Sequence, residues 1–289
     1  MNFYLHHFLF KTGFFSKFNI TLTKTIEGKK FKIPIINKTG YYNLYPHELW
    51  MDDLLKDIFS AVPGTFADAG MNIGQTLLKA AAFGKGRKYV GFEPNPICFY
   101  CCYKIIELNA LSSFEIFPAG LYNRNTILPL QLDKDYASGA SVIENIRNKQ
   151  QRYSKSVNAV LCKGDDILMN RHHGPIDILK VDVEGAEPEV IEGLQNTIAS
   201  DKPFIITEIL PVYNLQSDNG KYRKQREDAL LSHLFQLGYI MFRIGEKEKQ
   251  LIPLNEIEVH GSMSLTNYLF VHKERAELLK QFKFYTIRQ

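Results

Sequence analysis

The sequence predicts an α/β fold: a largely parallel sheet with helices on both faces, preceded by an extension. Three observations predict it. From residue 65 onward, short apolar runs alternate with segments of helical period. A glycine-rich turn, GTFADAGMNIGQT over residues 64–76, joins the first run to the first helix. A second run, KYVGFEPNP, ends on Glu93, at roughly the 20-residue offset where an acid meets ribose hydroxyls in nucleotide-binding sheets. The composition permits such a fold: 289 residues, 45% hydrophobic and 23% charged, suffice for one large domain with an extension.

In chain order, residues 1–40 form the extension. Its start, MNFYLHHFLFKTGFFSKF, is rich in Phe. It has no basic stretch ahead of its apolar part and no small-residue cleavage site. His6, His7 and Lys11 interrupt it, so it does not read as a bilayer span. It reads as an arm packed on the domain, with aromatic contact to a membrane surface or a partner chain as the second reading. Short strands are expected near 20–26 and 31–36. Pro46 opens a helix, HELWMDDLLKDIF, with Leu49, Leu54, Leu55, Ile58 and Phe59 as its apolar stripe. Glu48 and Trp50 either lean toward the ligand or serve surface and core.

Strand 65–68, helix 73–83, strand 88–92, helix 96–108 and strand 114–118 come next. Right-handed crossovers place strand 65–68 centrally and the ligand at the carboxyl ends of the strands. Residues 119–160 break the alternation. ILPLQL (127–132) and SGASVI (138–143) read as strands and ENIRNKQQRYSK as a polar connector, so an inserted flap on the ligand side is expected, with a role in substrate contact. VNAVLC reads as an added edge strand and DDILMN as a short helix. Strand IDILKVD sets Lys180 and Asp182 on one side by two-residue alternation. Pro188 starts a helix at a favoured first-turn position, and strand PFIITE ends at Glu208. A helix around 223–237 and strands YIMFRI and NYLFVH follow. The connection 245–266 is long for a hairpin, and it carries His260.

The turn carries the chemistry. Glycine permits backbone angles closed to other residues and lets a ligand approach the main chain, and the helix start offers free N–H groups. The order D-x-G-x-N-x-G differs from the dinucleotide fingerprint G-x-G-x-x-G, so the turn is wider than one that grips a pyrophosphate. Asp68, Gly70, Asn72, Gly74 and Glu93 together read as a site for an adenosine-containing cofactor. The bland alternative is a tight turn beside a solvated acid.

FADAGMNIGQT, VGFEPNP and ILKVDVEGAEPEVIEGL (178–194) resemble, in order and spacing, the three signatures of FkbM-type methyltransferases, across about residues 41–272. The phrase KVDVEGAE is the most family-specific. Met71 departs from the family, which more often has Ala there. The resemblance implies a seven-stranded Rossmann-like methyltransferase sheet with its last strand antiparallel, and a methyltransferase domain over 41–289. It implies S-adenosylmethionine as cofactor, with backbone at 70–74 on the methionine part, Glu93 on the ribose, and Asp182 with Glu184 on the amino group. It also implies O-methylation, of a sugar hydroxyl on a glycan or glycolipid, or of a small metabolite. In that arrangement the 245–266 connection lies on the pocket side.

A hydroxyl acceptor needs a base or a metal. Asp182, Glu208 and His260 are the residues expected near the site, with His260 favoured as base by its ordinary pKa. Asp182 with Glu208 would suit a hard divalent cation, which takes oxygen ligands. His172 and His173 precede a parallel strand and so fall at the end opposite the pocket. Cys98, Cys101 and Cys102 share a helix face and read as buried hydrophobes. Nothing demands a disulfide, so a cytoplasmic setting is expected, with membrane contact only through the arm. A net charge of +4 is too mild to argue nucleic acid. The phrase DVEG stands where base-directed amine methylation would show Asn/Asp-Pro-Pro-aromatic. A nicotinamide oxidoreductase is the alternative enzyme class, but Tyr100 and Lys104 follow the wrong strand for its Tyr-x-x-x-Lys. An inactive cofactor-binding module in a complex is the third reading.

Overall fold

The computed structural model describes residues 3–132, 140–143, 155–169 and 173–288. Helices α1 (Phe3–Lys11) and α2 (Phe14–Lys17) lead into a hairpin of β1 (Ile20–Ile26) and β2 (Lys29–Ile35). Glu27 and Gly28 turn the hairpin, both at positive φ, as a two-residue connection between twisted strands requires. Phe15, Phe31, Ile33 and Ile35 are buried in the same core as the next helices, so the extension shares the domain's apolar interior. Helix α3 (Leu49–Ala61) starts later than Pro46 would suggest. Glu48 takes a left-handed φ of 44° at the N-cap, its carbonyl accepts from both the Met51 N–H and Lys79 Nζ, and the carbonyl of His47 accepts from Lys79 Nζ as well. Trp50 is buried in the core.

Next come β3 (Thr65–Ala69), α4 (Gln75–Phe83), β4 (Tyr89–Phe92), α5 (Pro96–Leu108) and β5 (Phe114–Phe117). Every residue of β3 and β4 is buried, as a parallel sheet covered on both faces requires. The flap follows as β6 (Gly120–Tyr122), β7 (Thr126–Leu132) and β8 (Lys155–Lys163), and then α6 (Gly164–Leu168). The chain continues through β9 (Ile176–Val181), α7 (Glu187–Gly193), α8 (Gln195–Asp201), β10 (Phe204–Glu208), α9 (Asp218–Gln236), β11 (Tyr239–Gly245), β12 (Gln250–Leu254), β13 (Asn267–His272) and β14 (Thr286–Ile287).

The main sheet runs β14-β12-β11-β13-β10-β9-β3-β4-β5. The seven strands from β11 to β5 in that order follow the expected arrangement, with β13 antiparallel to both β10 and β11. Two more strands correct the expected count: β12 and β14 extend one edge, β12 out of a stretch read as loop. One face is covered by α3, α4, α5 and the hairpin, the other by α7, α8 and α9. Strand β3 is central, with β9 and β4 on either side.

The flap differs from expectation in two places. VNAVLC lies within β8, the middle strand of a separate three-stranded sheet ordered β6-β8-β7, and is not an edge of the main sheet. Of SGASVI, the described residues 140–143 form a single bridge, Ser141 to Gln131, not a strand. Most of the polar connector lies outside the described residues, as does His172. The carbonyl of His173 accepts from the Thr65 hydroxyl at the start of β3, which puts it at the amino end of the sheet. Cys98, Cys101 and Cys102 are fully buried, and burial pushes all three thiols up.

Candidate functional site

The turn after β3 is built around close backbone approach. Gly70 has φ +90°, and a Cβ there would overlap the carbonyl oxygen of Asp182 at the end of β9. The Asp182 N–H in turn donates to the Ala69 carbonyl at 3.0 Å. Gly70 and Met71 donate their N–H groups to the Phe92 carbonyl at the end of β4. The turn is thus stitched to the ends of both neighbouring strands. Met71 is buried against Gly91, where a side chain would collide with its sulfur. Gly74, at φ +92°, precedes α4 and packs against Ile105 and Cys102 of α5.

Glu93 is held from two sides. Its Oε2 accepts the Asn72 N–H at 2.7 Å and its Oε1 accepts the Asn95 N–H at 2.9 Å. Asn72 reaches this position through φ +50°, a conformation asparagine tolerates better than most residues. Burial pushes the Glu93 carboxyl up to about 7, against the two N–H donors and Lys180, which favour the anion. Asn95 then caps α5 through its side chain, and Pro96 takes the first helical position.

Glu93 stands on the wall of a cleft enclosing about 680 Å³, counting the space open to solvent. Gly70, Asn72, Asp182 and Glu184 line one side of the cleft. The other side is apolar: Pro94, Leu121, Leu130, Val142 and Leu161. Four of those five belong to the flap, so the inserted segment covers the same cleft as the glycine turn. The Ser141 hydroxyl pins it there by donating to the Glu184 carbonyl at 2.8 Å. No sequence signal marked these apolar residues individually. Their common signal was the break in alternation after β5.

Asp68 lies beneath the cleft and not on its wall. It is fully buried, accepts from the Tyr89 hydroxyl at 2.6 Å and faces Lys180 Nζ at 3.7 Å. Burial pushes its carboxyl up to about 6, opposed by Lys180 and by Tyr89. Lys180 also donates to Asp182 Oδ2 at 3.0 Å. Burial works against the Lys180 charge, but Asp182, Asp68 and Glu48 outweigh it and hold the ammonium above the usual lysine range. Strand alternation paired Lys180 with Asp182, but nothing in the sequence indicated that both acids would converge on it.

Glu184, at φ +55°, and Gly185 form the turn after β9. Glu187 folds back on that turn, its Oε1 accepting from Gly185 and Val183, and burial pushes it up to about 7. Glu208, at the end of β10, accepts from the Thr266 hydroxyl at 3.0 Å. Burial first, then the charges of Asp182 and Glu184, push it up to about 7. Glu208 does not line the cleft, and neither does His260. His260 sits in the connection before β13, partly buried, and burial with Arg243 draws it below the ordinary histidine range. Among the described residues, no three His, Cys, Asp or Glu side chains come together in a way that would hold a metal ion, so Asp182 and Glu208 find no third ligand.

The chain is 30% identical over 154 residues to "Methyltransferase sdnD" of Sordaria araneosa, covering 44% of this chain and 59% of that protein. Among solved structures, it is similar to a methyltransferase FkbM from Methylobacillus flagellatus, with 14% identity, 72% of this chain and 43% of that one covered, and a TM-score of 0.41. It is also similar to cofactor-bound Rv0187 from MTB, with 11% identity, 78% and 81% covered, and a TM-score of 0.45. The family model described as the methyltransferase FkbM domain matches residues 68–241. That stretch runs from Asp68 through the turn, the Glu93 wall, the flap and both strand ends that carry Asp182 and Glu208, and the chain belongs to the FkbM methyltransferase family.

Proposed function

We propose that this chain is an S-adenosylmethionine-dependent O-methyltransferase acting on a hydroxyl of a glycan, a glycolipid or a small metabolite. The observation that carries the reading is Glu93, fixed by the Asn72 and Asn95 N–H groups at the border between polar and apolar walls. Each carboxylate oxygen has about two lone pairs, and one N–H occupies each, so capacity remains for a pair of ribose hydroxyls. Pro94, Leu121, Leu130 and Leu161 offer the apolar surface that a flat base needs. At the other end, Gly70 exposes main chain, and Asp182 with Glu184 presents carboxylates suited to an amino group. The residues present therefore fit the cofactor. When bound, it supplies a methyl group on a sulfonium sulfur, already activated for displacement.

The chain's own task is to hold the acceptor oxygen in line and to take its proton. Glu208 is the base we favour. Its raised pKa lies near neutrality, where a general base is most effective, and it neighbours Asp182 and Glu184 electrostatically. His260 is the other base under this reading. The sugar or small-metabolite class rests on the family resemblance.

Calorimetry with S-adenosylhomocysteine and with NAD tests the cofactor assignment. The homocysteine product should bind, and Glu93→Ala should weaken that binding about 10- to 100-fold, the range for hydrogen bonds to a charged group. Binding of NAD alone would overturn the assignment. A screen of hydroxyl acceptors with methyl-labelled donor then tests the substrate class.

A further inference from the structure

We propose that the outer side of the extension docks on an anionic lipid bilayer, independently of what the cleft binds. The first observation is charge. Residues 1–40 hold seven lysines and one glutamate, a net charge of +6, whereas the whole chain carries +4. The remainder is therefore at −2, and the basic character of the protein belongs entirely to the extension.

The second observation is how the arm is seated. Phe15 is fully buried, Phe10 stacks on Tyr41 with ring centroids 4.2 Å apart, and the Phe15 carbonyl accepts from the Lys38 N–H. Those contacts fix α1 and α2 against the domain. They leave Phe8 at 63%, Phe14 at 36% and Phe18 at 56% exposure. The Phe14 and Phe18 rings lie 4.9 Å apart and make one patch. Phe8 and Lys11 are three residues apart on α1 and share its outer side, and Lys11 and Lys17 are both exposed. Aromatic rings turned outward among lysines are what an interfacial element presents. The rings enter the boundary between headgroup and acyl chain, and the ammonium groups meet lipid phosphates and carboxylates. Among the described residues no helix is long and apolar enough to cross a membrane, so the arm lies on the surface. A second copy is disfavoured as occupant, because a two-fold contact would set two patches of the same sign against each other.

Vesicle flotation of the full chain tests this. Vesicles of phosphatidylcholine with added phosphatidylserine should carry the protein, pure phosphatidylcholine should carry little, and high salt should release it. Two variants should each lower partitioning about tenfold or more: Phe8→Ser/Phe14→Ser/Phe18→Ser and Lys11→Glu/Lys17→Glu. Both should bind S-adenosylhomocysteine as the parent chain does, which reports an intact fold apart from the membrane contact; if the parent does not bind it, matching circular dichroism melts serve the same purpose. Failure of the parent chain to float with phosphatidylserine vesicles at low salt would overturn the proposal. So would flotation unchanged by the lysine reversals, or a dimer in sedimentation that the Phe variant dissolves while flotation stays the same.

Discussion

Lys180 sets the charge balance of the site. It is buried between Asp68 and Asp182, with Glu48 contributing from the start of α3, and these carboxylates keep it an ammonium. Losing it would strand two acids, and breaking a buried pair costs about 3–5 kcal/mol. Glu208 is compensated less well. Its largest influences are its own burial and the like charges of Asp182 and Glu184, with only the Thr266 hydroxyl pulling the other way among the leading causes. A base must be deprotonated to act, so turnover should rise with pH through about 7 and then level. Glu208→Gln should remove that limb and lower kcat about 10²- to 10⁴-fold while KM changes little. A limb below the ordinary histidine value, abolished by His260→Ala and untouched by Glu208→Gln, would give the role to His260.

At the scale of elements, the site is three strand ends brought into backbone contact. The turn after β3 rests on the Asp182 carbonyl and donates to the Phe92 carbonyl, so its shape depends on Gly70 having no side chain. Gly70→Ala should abolish measurable binding of S-adenosylhomocysteine, and the strained backbone should cost about 1–3 kcal/mol of stability. Calorimetry and urea titration read the two effects, and a variant that binds normally would refute this account of the turn. This turn was legible in the sequence because glycine and asparagine at Gly70, Asn72 and Gly74 answer a local backbone demand. Glu93 was legible for a similar reason: it ends a strand at a fixed offset. The flap was not. Alternation in VNAVLC shows a strand but cannot say which sheet takes it, and β8 went to β6 and β7. Strand β12 was hidden by Pro253, which argues against a sheet interior. It is tolerated because β14 reaches only Gln250 and Leu251, leaving Pro253 at an open edge. The burial of Asp68 was not legible, because chain order places it before the turn without showing that its side chain lies off the cleft wall.

Across the whole molecule, five carboxyls share one direction of shift: Asp68, Glu93, Glu187 and Glu227 are buried, Glu208 is partly buried, and burial raises Glu227 as it does the others. Asp68 rises from 3.8 to about 6, and Glu93, Glu187 and Glu208 rise from 4.5 to about 7, burial being the largest cause each time. The folded chain therefore holds more protons than the unfolded chain across that interval. Stability falls with pH wherever the native state binds the greater number. The contribution of Asp68, Glu93, Glu187 and Glu208 is complete below their unfolded values and is lost as pH rises through about 6 to 7. Lys180 does not shape this window, since its raised pKa keeps its contribution until well into the alkaline range. Glu48 is shifted the other way: burial raises it, but His47 and Lys180 prevail, so its contribution is lost only toward acid. The ligand-free chain should accordingly melt at a higher temperature near pH 5 than near pH 8. Glu208→Gln should flatten that slope, because the variant has no proton to lose there while its amide oxygen still accepts from Thr266. Scanning calorimetry across the pH series measures both, and a melting temperature that climbs from pH 5 to pH 8 would mean that these carboxyls are solvated, open to water where the structure buries them.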